Sequence, residues 1–295
     1  MLSILIPTFN YNVFPLVEKL HKQCRKINDL DFEILVFDDG SDFFYKENEK
    51  VNDLENCYYT ILKQNVGRSA IRNLLAQKAH YKWLLFLDTD VLPSSNNFIE
   101  NYLKQIKTGC QVVNGGLKYY DVAPPNEELL RWKFGKKREA LSIEKRLEAK
   151  NKNAFFSSNL LIHKSVFDKV LYNQTLNKYG YEDLVFQKEV NRLNFKVVQI
   201  DNPVYHLKLD TSEIFLNKSK QSLQNLSFLI KNNRLDFDDT RISKVYKKIN
   251  IPFIKSIVVF LFTVFEKRMY KRLKSAKTNL FLFDLYRIGY FTKIF

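Results

Sequence analysis

Two carboxylates one residue apart, Asp88 and Asp90, flank Thr89 directly after an apolar run and directly before Val91-Leu92-Pro93. On a turn, such a pair can converge on one divalent cation. Hard carboxylate oxygens suit Mg²⁺ or Mn²⁺, with diphosphate oxygens and water completing the shell. The same residues also read as a loop with capping acids. Asp38-Asp39-Gly40-Ser41 offers a carboxylate for the imide N–H of a uracil or the hydroxyls of a ribose, or else an Asp-Gly turn with an N-cap. Pro7-Thr8-Phe9-Asn10 places an aromatic where it can stack on a base or pack in a core. Asn65-Val66-Gly67-Arg68 opens a helix whose first amides, with Arg68, favour a phosphate or a base carbonyl. Arg72, four residues on, shares the face of Arg68.

Tyr179-Gly180-Tyr181-Glu182-Asp183 puts two adjacent acids at a helix start, where they complement the helix dipole. One of them could instead act as general base for an acceptor hydroxyl. Neighbouring helical residues point about 100° apart, so only one of the two can face a reacting group. His206, after Asn202-Pro203-Val204-Tyr205, is a polar residue that becomes a candidate third metal ligand beside a carboxylate site. His21, His80 and His163 lack such a context and read as structural or surface residues.

These clusters need elements to position them. Apolar runs at Ser3–Pro7, Phe32–Phe37, Tyr58–Leu62 and Trp83–Leu87 read as buried strands. Helical spacing over Val13–Lys26 and Arg68–His80 puts helices between them. Strands alternating with helices predict an α/β fold with a parallel sheet covered on both faces, and such a sheet binds ligands at the carboxyl ends of its strands. Thr8-Phe9-Asn10, Asp38-Asp39 and Asp88-Thr89-Asp90 all fall at those ends. Further on, strands are expected at Val112-Val113, at Phe155–Ile162 (antiparallel) and at Lys196–Ile200. Helices are expected within Pro124–Lys152, as a mobile excursion near the acceptor, over Tyr181–Leu193, and through the tail after Asp210.

The chain of 295 residues is 45% hydrophobic, ample for a core, and its formal charge is +15. After Phe215, 17 lysines and arginines face 5 acids, so 12 of the 15 excess positive charges lie there. A basic appendage of this kind needs an anionic partner, a membrane surface or nucleic acid. Ile251–Phe265 is strongly apolar, but Ser256–Phe265, its longest uncharged piece, is ten residues, about half a bilayer span. Lys267, Arg268, Lys271, Arg272, Lys274 and Lys277 follow. This pattern predicts an anchor lying in or shallowly inserted into an anionic membrane surface. Cys24, Cys57 and Cys110 are odd in number and form no CxxC pair, which predicts reduced thiols. The N-terminus shows no signal-peptide pattern, and the expected location is cytoplasmic, peripheral on the inner face of the cell membrane.

In this order the motifs resemble the family 2 glycosyltransferases of the GT-A fold, through Ser3–Asn10, Glu33–Ser41, Asn65–Asn73, Trp83–Pro93 and Gly180–Phe186. The resemblance implies a mostly parallel sheet flanked by helices. A Rossmann-like nucleotide half over 1–93 and an acceptor-side half over 94–210 would be followed by a helical basic extension over 211–295. It implies inverting transfer from a nucleotide sugar, UDP-sugar favoured, to a saccharide or lipid-linked acceptor in polysaccharide or glycan assembly, with Mn²⁺ or Mg²⁺. Pro7, Thr8, Phe9, Asn10, Asn65, Gly67 and Arg68 would then contact the nucleotide sugar, as would Asp39, reading the base. Asp88 and Thr89 would lie at the ribose, with Asp88, Asp90 and His206 at the metal. Asp183 matches the family's catalytic base, and Glu182 would help bind the acceptor. The chain has no Gln-x-x-Arg-Trp motif, which disfavours a processive synthase. Phe156-Ser157-Ser158-Asn159 stands where the family usually has Gly-Gly.

Two rival readings keep part of the pattern. A sugar-phosphate nucleotidylyltransferase shares carboxylates, Mg²⁺ and a similar sheet, but needs a Gly-rich loop where Pro7-Thr8-Phe9-Asn10 stands. A basic nucleic-acid-binding protein would explain the charge, but motifs of that class are absent and no nucleic-acid partner is expected. A dinucleotide-dependent oxidoreductase is excluded by the lack of GxGxxG.

Overall fold

The computed structural model describes residues 1–43, 45–148, 155–176 and 178–295. The strands are β1 (Leu2–Thr8), β2 (Phe32–Asp38), β3 (Cys57–Ile61), β4 (Trp83–Leu87), β5 (Val91–Pro93), β6 (Val112–Asn114), β7 (Leu117–Lys118), β8 (Asn159–His163), β9 (Val197–Gln199) and β10 (Val204–His206). The first helices are α1 (Phe14–Arg25), α2 (Arg68–Lys78), α3 (Phe98–Ile106), α4 (Leu129–Arg138), α5 (Ile143–Leu147) and α6 (Lys164–Phe167). They are followed by α7 (Glu182–Arg192), α8 (Ser212–Lys231), α9 (Arg241–Ile249), α10 (Pro252–Leu273) and α11 (Leu280–Ile294).

Two compact units form. One comprises Met1–Tyr119, Glu139–Thr175 and Phe186–Lys208; the other comprises Tyr120–Arg138, Leu176–Val185 and Leu209–Phe295. The first unit is built on a seven-stranded sheet of order β3-β2-β1-β4-β8-β6-β9. β1 pairs in parallel with both β2 and β4, and β3 joins β2 in parallel. β8 is antiparallel to β4 and β6, as its sequence pattern led us to expect, though it begins at Asn159 rather than Phe155. The stretch before it is tied to other segments by side chains rather than by ladder bonds: Asn114 Nδ2 donates to the Phe156 carbonyl, and at the start of β8 Asn159 Nδ2 donates to the carbonyls of Gly116 and Asn202.

Strand residues alternate between two cores, as a pleated strand requires. Ile4, Ile6, Ile34, Val36, Leu85 and Leu87 pack with Val17 and Leu20 of α1 on one face. Leu5, Leu35, Phe37, Leu84 and Phe86 pack with Ile71 and Leu75 of α2 on the other. The central strands are therefore apolar on both faces from Ile4, Ile34 and Leu84 onward, with Ser3 donating to Glu33 near their start, which is why they read as continuous runs. A second, three-stranded sheet of order β5-β10-β7 was not expected. Its strands are two or three residues long, too short for alternation to register. α3 was also unanticipated; Phe98, Ile99 and Tyr102 bury it against the α1 face.

Within 124–152 the structure forms α4 and α5, while residues 149–152 of that expected excursion lie outside the described residues. The tail is helical as expected. In the second unit, Leu223, Leu226, Tyr246 and Phe291 form one core, and Leu130, Leu216, Phe262, Phe283 and Tyr286 another. All three cysteines are free thiols, and burial pushes those of Cys24 and Cys57 up to about 12.

The turn after β2 turns on Gly40, at φ +69°; a Cβ there would stand 2.8 Å from the Gln64 carbonyl carbon and 2.9 Å from the Asn65 nitrogen. Backbone on both sides cannot give way as a side chain can. Gly40→Ala should cost about 1–3 kcal/mol of stability, read as a lower urea midpoint with unchanged slope.

Candidate active site

β1 lies between β2 and β4 in parallel register, so Thr8 is level with Asp38 on one side and, two residues past the end of β4, with Thr89 on the other. Thr8 links them. Its carbonyl accepts from the Asp39 amide at 2.8 Å, and its hydroxyl accepts from Thr89 Oγ1 at 3.1 Å. The expected clusters at Thr8, Asp38-Asp39 and Asp88-Thr89-Asp90 thus form one continuous edge. The two acids after β2 do different work. Asp38 accepts from the Tyr59 hydroxyl at 2.7 Å and the Ser41 amide at 2.8 Å, which fixes the turn. Asp39 accepts from the amides of Val66 (2.7 Å) and Gly67 (3.1 Å), holding the entry to α2 against the β2 tip. Each Asp39 oxygen keeps a second acceptor site. Burial raises the Asp39 pKa above the ordinary carboxylate value, although the two amides oppose it.

Phe9, 42% exposed, is excluded from the core, so of its two readings only the exposed aromatic survives. Asn10 is already engaged. Its carboxamide accepts from the amides of Asp42 and Phe43 and donates to Asp42 Oδ2, and its φ is +51°. Asn65 is exposed, and Gly67, at φ +88°, has open space where a Cβ would point.

The two acids after β4 also diverge. Asp88 Oδ1 accepts from Arg72 Nη2 at 2.7 Å, with Arg68 Nη2 4.0 Å from Oδ2. Burial would raise the Asp88 pKa, but Arg72 and then Arg68 outweigh it and hold the carboxyl below its ordinary range. Arg72 therefore belongs to the site; the shared face with Arg68, already visible in the i,i+4 spacing, was the signal for it. Asp90 Oδ2 instead faces His206 Nε2 at 3.7 Å, and the Asp90 carbonyl accepts from the Leu207 amide. The small sheet causes this meeting, because Val91 of β5 pairs with His206 of β10. Tyr119, which sequence reasoning passed over, stacks on the His206 ring (centroids 5.4 Å apart, planes 11°). Tyr11 was also passed over; burial, then Asp90, raises its phenol pKa. Of the three expected metal ligands, the structure brings Asp90 and His206 together and turns Asp88 to the arginines. Among the described residues no three His, Cys, Asp or Glu side chains gather as a ready cation cage.

Glu182 and Asp183 open α7 within the second unit. Gly180 (φ +94°) and Tyr181 (φ +71°) precede them, a left-handed pair that a tyrosine adopts only when its surroundings impose it. Asn225 Nδ2 supplies that imposition by donating to the carbonyls of Lys178 (2.7 Å) and Gly180 (3.0 Å). Half-buried Tyr181, whose pKa is raised by desolvation, faces the half-buried Arg287. Glu182 is 8% exposed and Asp183 half-buried, so Asp183 is the more accessible acid.

The sequence profile described as Glycosyl transferase family 2 matches residues 3–171. The chain belongs to glycosyl transferase family 2. Comparison with curated proteins gives no match by sequence. Among solved structures, TarS from S. aureus matches at 18% identity and TM-score 0.52, over 74% of this chain and 38% of that one. TarS 1–349 in complex with UDP matches at 15% identity and TM-score 0.54, over 99% and 90%. The mannosyltransferase PcManGT from Pyrobaculum calidifontis, in complex with GDP-Man and Mn²⁺, matches at 11% identity and TM-score 0.56, over 96% and 85%. GalNAc-T7 with UDP, GalNAc and Mn²⁺ matches at 18% identity and TM-score 0.57, over 78% and 47%. The chain spans well under two thirds of the longer TarS and GalNAc-T7 chains. At these identities the likeness is one of fold, and the fold is GT-A as expected.

The Arg72–Asp88 pair carries a stability prediction. Arg72 is 3% and Asp88 21% exposed at the side chain, so Arg72→Ala leaves a partly buried carboxylate without its closest partner. The loss should be about 2–4 kcal/mol at pH 7, toward the low end of buried-pair values because Asp88 keeps some solvent. A depressed carboxyl pKa contributes stability above the unfolded value of about 3.9, and that contribution fades as pH falls through the folded one. Urea unfolding of both proteins should show the gap narrowing as the pH is lowered into the carboxylate range.

Proposed function

We propose that the chain is an inverting glycosyltransferase. It moves a sugar from a nucleoside diphosphate sugar, UDP-sugar favoured, onto a hydroxyl of a saccharide or lipid-linked acceptor in polysaccharide or glycan assembly. The observation that carries this reading is the single edge on which Thr8 joins the tips of β1, β2 and β4, in a chain of this family. The relatives crystallised with UDP, with GDP-Man and Mn²⁺, and with UDP, GalNAc and Mn²⁺ support a nucleotide-sugar donor.

On this reading Phe9 stacks on the base, and Asp39 accepts from the base or ribose with its remaining acceptor sites. The Gly67 backbone and Arg68 lie along the nucleotide, with Asn65 and Pro7 at its margin. Asp88 and Thr89 face the ribose. The Asp90–His206 pair fits a divalent cation. Its 3.7 Å separation is longer than a hydrogen bond, yet within reach of two ligands each about 2.0–2.2 Å from one ion. A carboxylate with an imidazole favours Mn²⁺ over Mg²⁺. His206 Nδ1, buried and without a hydrogen-bond partner among the described residues, leaves the ring oriented by the Tyr119 stack rather than by an acceptor. When bound, the cation supplies charge neutralisation at the diphosphate leaving group.

Asp183 takes the proton of the acceptor hydroxyl as its oxygen bonds to the anomeric carbon. The bond from that carbon to the diphosphate oxygen breaks, and the nucleoside diphosphate leaves with the electron pair. One displacement inverts the configuration. Glu182, buried beside it in sequence, orients the acceptor or the base.

Three experiments test this. In a thermal-shift screen of nucleotide sugars with Mn²⁺ or Mg²⁺, one donor should raise the midpoint, by about 2.7 kcal/mol of added stability at a hundredfold excess over Kd. Asp90→Ala should abolish the metal-dependent part of that binding by titration calorimetry; undiminished binding would remove Asp90 from the metal. Asp183→Asn should lose about 10²–10⁴-fold in transfer rate while binding donor as the parent does. Full activity in that variant would take Asp183 out of the mechanism.

A further inference from the structure

The second unit presents one helix face that neither its own packing nor the transfer reaction uses. α10 contacts the rest of that unit along one side. Phe262 packs edge-on to Tyr286 of α11 at 5.4 Å, and Gly289 permits this approach, since a Cβ there would stand 2.4 Å from the Phe262 ring. Leu273 is buried on the same side. Lys255, the charge that interrupts the apolar stretch, and Glu266, which follows its end, are also turned inward. Lys255 Nζ lies 3.3 Å from the Tyr246 hydroxyl, and Glu266, the one acid of α10, pairs with Lys220 (3.1 Å) and Lys293 (3.5 Å).

The outward side is left with a sorted composition. Phe253, Ile254, Ile257, Phe260, Leu261 and Val264 are exposed, Phe253 by 75% and Phe260 by 67%. At 100° per residue they fall on one face. That same face continues through Lys267, Arg268, Lys271 and Arg272, all exposed and forming no ion pair among the described residues. Its first turns are thus purely apolar and its last turns purely cationic, with no acid anywhere along it.

We infer that this face of α10 seats on an anionic lipid surface, with the Phe253 end sunk into the acyl boundary and the Lys267–Arg272 end held at the phosphate headgroups. The axial order sets the tilt. A helix lying flat would bury cations as deeply as phenylalanines, whereas an oblique one satisfies both. Seating is favoured over crossing. No single helix among the described residues is long and apolar enough to cross a membrane, and the bent pair α9–α10, at 119°, is the one combination that passes by length and composition. Nucleic acid would be served by the cations and by stacking on Phe253 and Phe260, but gains nothing from the four exposed aliphatic side chains Ile254, Ile257, Leu261 and Val264 that share the face. A second copy of the chain would set these four cations against four identical ones in a parallel contact and against exposed apolar side chains in an antiparallel one, with no acid on either face to pair them.

Flotation of the full chain with vesicles tests the inference without reference to sugar transfer. Vesicles of 30% phosphatidylglycerol in phosphatidylcholine should carry the protein at low salt, pure phosphatidylcholine should carry little, and high salt should release most of it. Exchanging Lys267, Arg268, Lys271 and Arg272 for glutamine should weaken binding at least a hundredfold, on the basis of about fivefold per cation. Phe253→Ser with Phe260→Ser should weaken it by about a hundredfold too, at roughly tenfold per ring. These positions are exposed, so circular dichroism should find both variants folded; the salt and lipid dependence of the parent protein decides the charge component independently. Equal flotation on neutral and anionic vesicles, or none on either, would overturn the proposal. So would salt-sensitive oligonucleotide binding lost only in the glutamine variant, or a dimer in solution that the serine variant converts to monomer.

Discussion

Everything proposed for the first unit depends on β1 being paired on both edges by parallel strands in matched register. Thr8 is opposite Asp38 in one pairing, and Leu5 is opposite Phe86 in the other, so the same register carried forward brings Thr89 level with Thr8. A slip of one residue at either edge would turn the inward Ile and Val residues to the opposite core and misalign the tips together. The two apolar cores therefore hold the chemistry in place as well as the fold. Thr8 converts alignment into connection, its carbonyl fixing the Asp39 backbone and its hydroxyl the Thr89 side chain.

The Asp-Thr-Asp turn shows how one dipeptide spacing yields two electrostatic environments. Asp88 sits against two arginines on one face of α2, and its charge is balanced within the protein. Asp90 instead meets an imidazole supplied by β10, at 3.7 Å. A carboxylate already neutralised by arginine attracts a divalent ion poorly, whereas one without an arginine partner keeps its attraction. The proposed ribose-side role of Asp88 and metal-side role of Asp90 rest on that division.

Legibility in the sequence follows the length of the apolar signal. β1, β2 and β4 are five to seven residues buried on both faces, and they announce themselves as uninterrupted runs. Their polar ends could be read as one site from topology alone. The Asp90–His206 approach could only be guessed, because it is made by β5 and β10, of three residues each, joined antiparallel across more than a hundred positions. Local pattern carries no trace of such a pairing. Likewise the left-handed Tyr181 is invisible in sequence, since its cause, Asn225, lies on a helix read only as part of a basic tail. The Gly180 before it was the one hint.

The same tail shows why charge counts need coordinates before they become mechanisms. From composition, Lys255 interrupts an apolar segment and Glu266 follows its end, and both argue against a clean apolar face. In the folded chain, Lys255 meets a tyrosine hydroxyl and Glu266 two lysines, all on the packed side of α10. The two charges thereby become part of what attaches the helix, and the exposed side is more apolar at one end and more basic at the other than the sequence average suggests. Glu266 in particular offsets Lys220 and Lys293 inside the unit, so the positive charge that remains outward is concentrated beyond Phe265. An amphipathic helix usually separates its faces around the axis; α10 separates its bare face along the axis, and that ordering fixes which end can go deeper into an interface.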